Sequence, residues 1–165
     1  MKIGVISDTH ISEKTHTIPA CILNDFKNAE MIIHCGDLID LSVLTKLKSV
    51  CKVVAAVWGN MDPLEVKDKL PEKEIINVGT HRIGIMHGLG APNNLIPFLI
   101  DRFKQDKVEM IIFGHSHTPC NEKRDGIIFF NPGSATDKVF APYRSYGIIE
   151  IGETIKATIV KVKDE

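Results

Sequence analysis

The hydrophobic pattern of the chain changes period several times, and each change marks an element. Residues 2–7, 31–34 and 51–58 are short apolar, β-rich runs. Between the first two, Ile18, Ile22 and Phe26 recur at intervals of four, which puts them on one stripe of a helix over residues 19–29, with Pro19 suited to its first turn. A second helix is expected over residues 42–49, so the first third predicts a βαβαβ unit with parallel strands and right-handed crossovers. Beyond Pro71, runs at 74–78 and 82–87 flank Gly79-Thr80 and predict an antiparallel pair. A helix over 93–105, with Leu95, Phe98, Leu99, Ile100 and Phe103 as its apolar face, leads to a strand at 110–113. The runs at 126–130, 146–151 and 154–162 are expected to form a second, mainly antiparallel sheet. The expected fold class is α/β (α+β): two mixed sheets packed face to face with helices outside.

Length and composition narrow this only modestly. At 165 residues without internal repeats or linkers, one domain spanning 1–165 is expected. No apolar run approaches the ~18 residues of a membrane span, and the start has no long apolar signal core, so no membrane association and a cytoplasmic location are expected. Twenty Lys+Arg against twenty-one Asp+Glu leave a net charge of −1, which removes the electrostatic case for nucleic acid as an obligatory partner. A phosphate-bearing substrate needs a local positive centre instead. Cys21, Cys35, Cys51 and Cys120 form no Cys-x-x-Cys pair and read as small core hydrophobes rather than as disulfides or a thiolate metal site.

The chemistry lies just beyond the end of each apolar run. Residues 2–7 end in Asp8-Thr9-His10, 31–35 in Gly36-Asp37, 52–58 in Gly59-Asn60, 82–86 in His87-Gly88, and 110–113 in Gly114-His115-Ser116-His117. Any one of these is ordinarily a turn residue, a cap or a hydrogen-bonded histidine. Repetition favours ligands, because turns have no reason to choose imidazole four times at strand ends, where an α/β fold gathers its binding residues. Two Asp, four His and one Asn exceed the needs of one transition-metal ion but suit two ions bridged by a carboxylate, for which Asp37 is placed. An extended chain puts Asp8 and His10 on one side, and a turn begun by Gly114 can aim His115 and His117 at different ions. Mixed imidazole and carboxylate ligation favours Mn, Fe, Zn, Ni or Co. Asp40 and Asp62 are candidates for orienting the ligating histidines or for capping. His34 and Cys35 are expected to pack, and His16 lies in the loop after the first motif.

The ordered set Asp-x-His, Gly-Asp-x-x-Asp, Gly-Asn, His-Gly and Gly-His-x-His resembles the calcineurin-like metallophosphoesterase superfamily, in particular its small YfcE-like branch. The turn Asn131-Pro132-Gly133-Ser134 extends the likeness. The resemblance implies a four-layer αββα sandwich, with one ion held by Asp8, His10, Asp37 and His117 and another by Asp37, Asn60, His87 and His115. It further implies phosphodiester hydrolysis of a small phosphoester by a hydroxide bridging two divalent ions, Mn first among Mn, Fe, Ni, Zn and Co, with Asp37 and Asn60 as catalytic residues. Many relatives carry His after the Gly-Asn pair. Met61 stands there and cannot donate a proton, which points to reactive diesters or a substituted acid. A binding scaffold on the same fold, as in the small retromer coat subunit, is the alternative; a large exposed apolar patch would favour it. A nuclease has only the shared chemistry behind it, and self-association is left open.

Overall fold

The computed structural model describes residues 1–12 and 17–163, so His16 lies outside the described residues. Among the described residues, ten strands and four α-helices run in the order β1 (Lys2–Ile6), α1 (Ala20–Phe26), β2 (Met31–His34), α2 (Ser42–Lys48), β3 (Val54–Ala56), α3 (Leu64–Lys67), β4 (Lys73–Val78), β5 (His81–Met86), α4 (Leu95–Phe103), β6 (Met110–Ile112), β7 (Cys120–Arg124), β8 (Ile127–Asn131), β9 (Ser145–Ile151) and β10 (Ile155–Lys161). They build two five-stranded sheets, β10-β9-β1-β2-β3 and β4-β5-β6-β8-β7. β1, β2 and β3 run parallel, as do β5, β6 and β8, and the antiparallel strands lie outside them.

The alternation of each central strand explains the layering. Ile3 and Val5 of β1 meet Ile33, Ile83, Ile85, Met110, Ile112 and Phe130 in the layer between the sheets. The opposite phase, Ile6 with Ile32, packs on Ile22 and Phe26 of α1 and Leu47 of α2. On the far side Leu95, Leu99 and Phe103, spaced by four along α4, cover Ile111 and Phe129. Helices therefore cover both outer faces, and the expected two-sheet sandwich holds.

The tail departs from expectation. Its strands do not make a sheet of their own: β8 lies parallel to β6 in the second sheet, while β9 pairs antiparallel with β1 in the first and β10 edges it. The reason is two-sided burial. Tyr146 of β9 enters the helix-facing layer and Ile149 and Ile151 the inter-sheet layer, so β9 needs neighbours on both edges and faces. The expected strand 51–58 contracts to Val54–Ala56, because Cys51 still donates its N–H to Leu47 at the end of α2. All four cysteines are free, and no helix among the described residues is long and apolar enough to cross a membrane.

Candidate metal centre

Asp8 and His10 lie just past β1, Asp37 past β2 and Asn60 past β3, whereas His87 lies past β5 and both His115 and His117 past β6. The seven side chains thus come from carboxyl ends of parallel strands in both sheets, at the rim where the two sheets meet. The backbone there is unusual. Asp8, His10, Asp37, His115 and His117 have φ of 51°, 45°, 56°, 70° and 54°, left-handed values that cost a non-glycine residue about 1–3 kcal/mol and gather at functional sites. Asp8 and His10 are therefore not presented by an extended chain, as their spacing suggested. The loops after β1 and β2 run together instead: Asp8 N–H donates to Gly36, His10 N–H to Asp37 and Ile11 N–H to Leu38. Gly36, at φ 96°, and Gly59 allow this packing; a Cβ on Gly59 would overlap the Asp37 carboxylate.

The side chains converge in two overlapping groups, Asp8 with His10 and His117, and Asp8 with Asp37 and His87. His117 Nε2 is 3.4 Å from Asp8 Oδ1 and 3.2 Å from His10 Nε2. Asp37 Oδ2 reaches into both groups, 3.6 Å from His10 Nε2 and 3.3 Å from His87 Nε2. Beside the second group, His115 Nδ1 is 2.8 Å from Asn60 Oδ1, and the His115 backbone N–H donates to the Asp8 carboxylate.

His87 tests whether this donor set fits a cation. Its Nδ1 is 2.7 Å from the Cys35 carbonyl oxygen, which only accepts, so Nδ1 carries the hydrogen and Nε2 holds the lone pair of a neutral ring. That Nε2 is buried without a hydrogen-bond partner and faces Asp37 Oδ2 at 3.3 Å and Asp8 Oδ1 at 3.8 Å. A lone pair opposed to two buried carboxylates calls for positive charge between them, a proton or a metal ion. The residues fit a transition-metal ion. The electrostatics agree: burial pushes the Asp8 and Asp37 carboxyls up, but His117 and His87 hold them below the ordinary carboxylate range. Burial in turn opposes the charge on His87, yet Asp37 and Asp8 raise its pKa above the usual value. His117 rises to about 9, chiefly through its bond to Asp8.

Further contacts hold the donor set in place. Asp62 orients no imidazole; its buried carboxylate accepts the N–H groups of Gly59 (2.7 Å), Asp37 (2.9 Å) and Ile39 (2.7 Å), tying two ligand-bearing loops together. Asp40 accepts the Ser42 N–H at the start of α2. The exposed Met61 donates its N–H to Asp37 Oδ1 at 2.8 Å, a contact that does not depend on the Met61 side chain. His34 packs as expected, bonded to Thr9 and Gly36. The turn at 131–136 acts as a clasp: Ser134 Oγ donates to the Asp8 carbonyl at 2.7 Å and Thr136 Oγ1 to that of Thr9 at 2.7 Å. Asp137, which carries no motif, has Oδ2 2.5 Å from His117 Nδ1; a carboxylate behind a ligand histidine is a common way to fix tautomer and ring orientation.

A family model, the calcineurin-like phosphoesterase superfamily domain, matches residues 1–154. The chain is 36% identical over 165 residues to a protein of Methanocaldococcus jannaschii named "Probable metallophosphoesterase", covering 99% of this chain and 83% of the relative. A phosphodiesterase of the same organism is 30% identical over 144 residues, covering 81% of this chain and 83% of that one. Among solved structures, wild-type Vps29 of Entamoeba histolytica complexed with zinc superposes with a TM-score of 0.76 at 25% identity, covering 98% and 99% of the two chains. With the fold, the five strand-end motifs and these relatives in agreement, the chain belongs to the calcineurin-like phosphoesterase superfamily, in its small YfcE-like branch.

Proposed function

We propose that this protein is a dinuclear metal-dependent phosphodiesterase acting on a small phosphoester, with residues 1–165 forming one domain. Asp8, His10, Asp37 and His117 hold one ion, and Asp37, Asn60, His87 and His115 the other. The observation that carries the reading is the buried, unpartnered His87 Nε2 aimed at two carboxylates within a convergent set of donors. When bound, two divalent ions, Mn first among Mn, Fe, Ni, Zn and Co, would supply a hydroxide nucleophile and positive charge for the phosphoryl oxygens. The chain supplies position. Asp37, held through Oδ1 by the Met61 N–H, presents Oδ2 to histidines of both groups. The Asn60 amide can hold a cation through oxygen while its NH₂ donates to a phosphoryl oxygen. Met61 offers no proton to a leaving group, which favours diesters whose leaving group is stable as an anion. The four free cysteines accord with action in a reducing cytoplasm.

Protein reconstituted with Mn²⁺ should hydrolyse bis(p-nitrophenyl) phosphate faster than the p-nitrophenyl monoester. Asp37→Asn should lose more than about a hundredfold, since even an outer partner of a ligand is worth about 10–100-fold. Equal, metal-independent rates in both proteins refute the reading. The scaffold alternative has one observation in its favour: Leu64, Leu89, Val139 and Phe140 are strongly exposed. Intact metal binding without hydrolysis of any phosphoester would favour it.

A further inference from the structure

Segment 137–141 supplies no group to the hydrolytic step, yet it is built onto the centre. Asp137 Oδ1 accepts the N–H groups of Val139 at 2.7 Å and Phe140 at 3.1 Å, and Oδ2 accepts that of Ala141 at 3.0 Å while contacting His117 Nδ1 at 2.5 Å. One carboxylate thereby fixes a candidate ligand and a loop together. That loop carries Phe140, 83% exposed, and Val139, 79% exposed. It walls a cavity of about 470 Å³ that opens beside His10 and His117 and is also lined by Asp137 and Lys138, a volume suited to a small organic ligand.

We propose that segment 137–141 is the substrate-recognition wall of the metal centre, and that the occupant is a phosphodiester whose second ester group is aromatic or similarly flat and apolar. This rests on the phosphodiesterase reading and names its substrate class. The cavity has two chemical ends. One end holds His10 and His117 of the donor cluster, where a phosphoryl group would sit, and Lys138 is among the lining residues; the outer end is the strongly exposed Phe140 and Val139. An occupant matching both is anionic at one end and apolar at the other. An apolar protein segment satisfies only the outer half. An exposed apolar pair at the mouth of a polar centre gains free energy only when something covers it, and an aromatic ester group covers about one such side chain.

The test compares phenyl p-nitrophenyl phosphate with methyl p-nitrophenyl phosphate, which release the same leaving group. With Mn²⁺, the native protein should favour the phenyl ester in kcat/KM. Phe140→Ala should lower the phenyl-to-methyl ratio about tenfold, through KM rather than kcat, and Phe140→Trp should retain it. Val53→Ala, an exposed apolar position at the opposite end of β3, should leave the ratio native. Asp137→Asn turns an NH₂ toward His117 or releases the loop, so it should lower the ratio and, by calorimetric Mn²⁺ titration, weaken one equivalent about 10–100-fold. An unchanged ratio in Phe140→Ala, or native ratio and Mn²⁺ affinity in Asp137→Asn, overturns the proposal. Hydrolysis of both esters by the native protein without preference removes the wall and leaves the phosphodiesterase standing; hydrolysis of neither removes both.

Discussion

Strand β5 begins with one histidine and is followed directly by another, and the two are treated in opposite ways. His81 opens the strand, with Nδ1 3.0 Å from Glu109 Oε2 and Nε2 3.2 Å from the Gly152 carbonyl. Both nitrogens have partners, and the ring links β5 to the segment before β6 and the turn between β9 and β10. His87 follows the strand with one nitrogen bonded to backbone and the other left facing two carboxylates. Residue type and burial are nearly the same, so neither separates structure from chemistry. What separates these two rings is whether the second nitrogen is satisfied.

The sharpest way to break this contrast is to remove each ring. His87→Ala should lower Mn²⁺-dependent diester hydrolysis by more than about a hundredfold and abolish one bound Mn²⁺, because a ligand outweighs its outer partners. His81→Gln should stay within about twofold in rate, in keeping with sites remote from the chemistry. Comparable losses in the two variants would erase the distinction.

Asp62 tests whether the left-handed loops need their buried anchor. Asp62→Ala strands three N–H groups, each worth about 1–3 kcal/mol when left unpaired in the interior. With partial relief by water we expect about 3 kcal/mol of destabilisation, or a Tm lower by about 6–12 °C. A Tm unchanged within a degree or two would show that the loops hold themselves.

His34 adds a third case, a histidine kept neutral. Burial pushes its pKa down to about 3 despite the nearby Asp8 and Asp37 charges. The unfolded chain takes up that proton near pH 6.5, so its contribution to stability is full above that pH and is lost as pH falls from about 6.5 toward 3. By pH 4.5 the loss should reach about 2–3 kcal/mol, and His34→Gln should flatten the acid limb of urea unfolding midpoints. An identical limb in the variant would assign the acid sensitivity elsewhere.

The smallest effect belongs to His81. Its pKa is raised, mainly by the bond to Glu109, so its contribution is present below about pH 6.5 and disappears as pH rises through the raised value. Glu109→Gln should therefore lower Tm at pH 6 and leave it unchanged at pH 9. Equal effects at both pH values would mean that charge plays no part at that end of the strand.

Legibility divides along the same line. Asp8, Asp37, Asn60, His87, His115 and His117 can be read because each stands just beyond an apolar run, and a run plus a ligand-type residue is a local pattern. The left-handed backbone of Asp8 and Asp37 cannot, since it arises where the loops after β1 and β2 hydrogen-bond to each other. Strand β7, Cys120–Arg124, escapes the hydrophobic pattern because four of its five residues are exposed and polar or charged, as an edge strand tolerates. The one-turn α3 is too short to show a period. The pairing of β9 with β1 depends on partners more than a hundred residues away, and alternation specifies which face is buried, not which strand lies alongside. Asp137 has no signal: a loop aspartate becomes a histidine's partner only through the clasp at 131–136 that carries the chain back over β1.

The most direct measurement is anomalous diffraction at the manganese edge from crystals grown with Mn²⁺. Two peaks about 3.5–4 Å apart are predicted, one against Asp8, His10 and His117 and the other against Asn60, His87 and His115, with Asp37 between them. A rim without peaks, or manganese bound away from these side chains, would contradict the dinuclear centre.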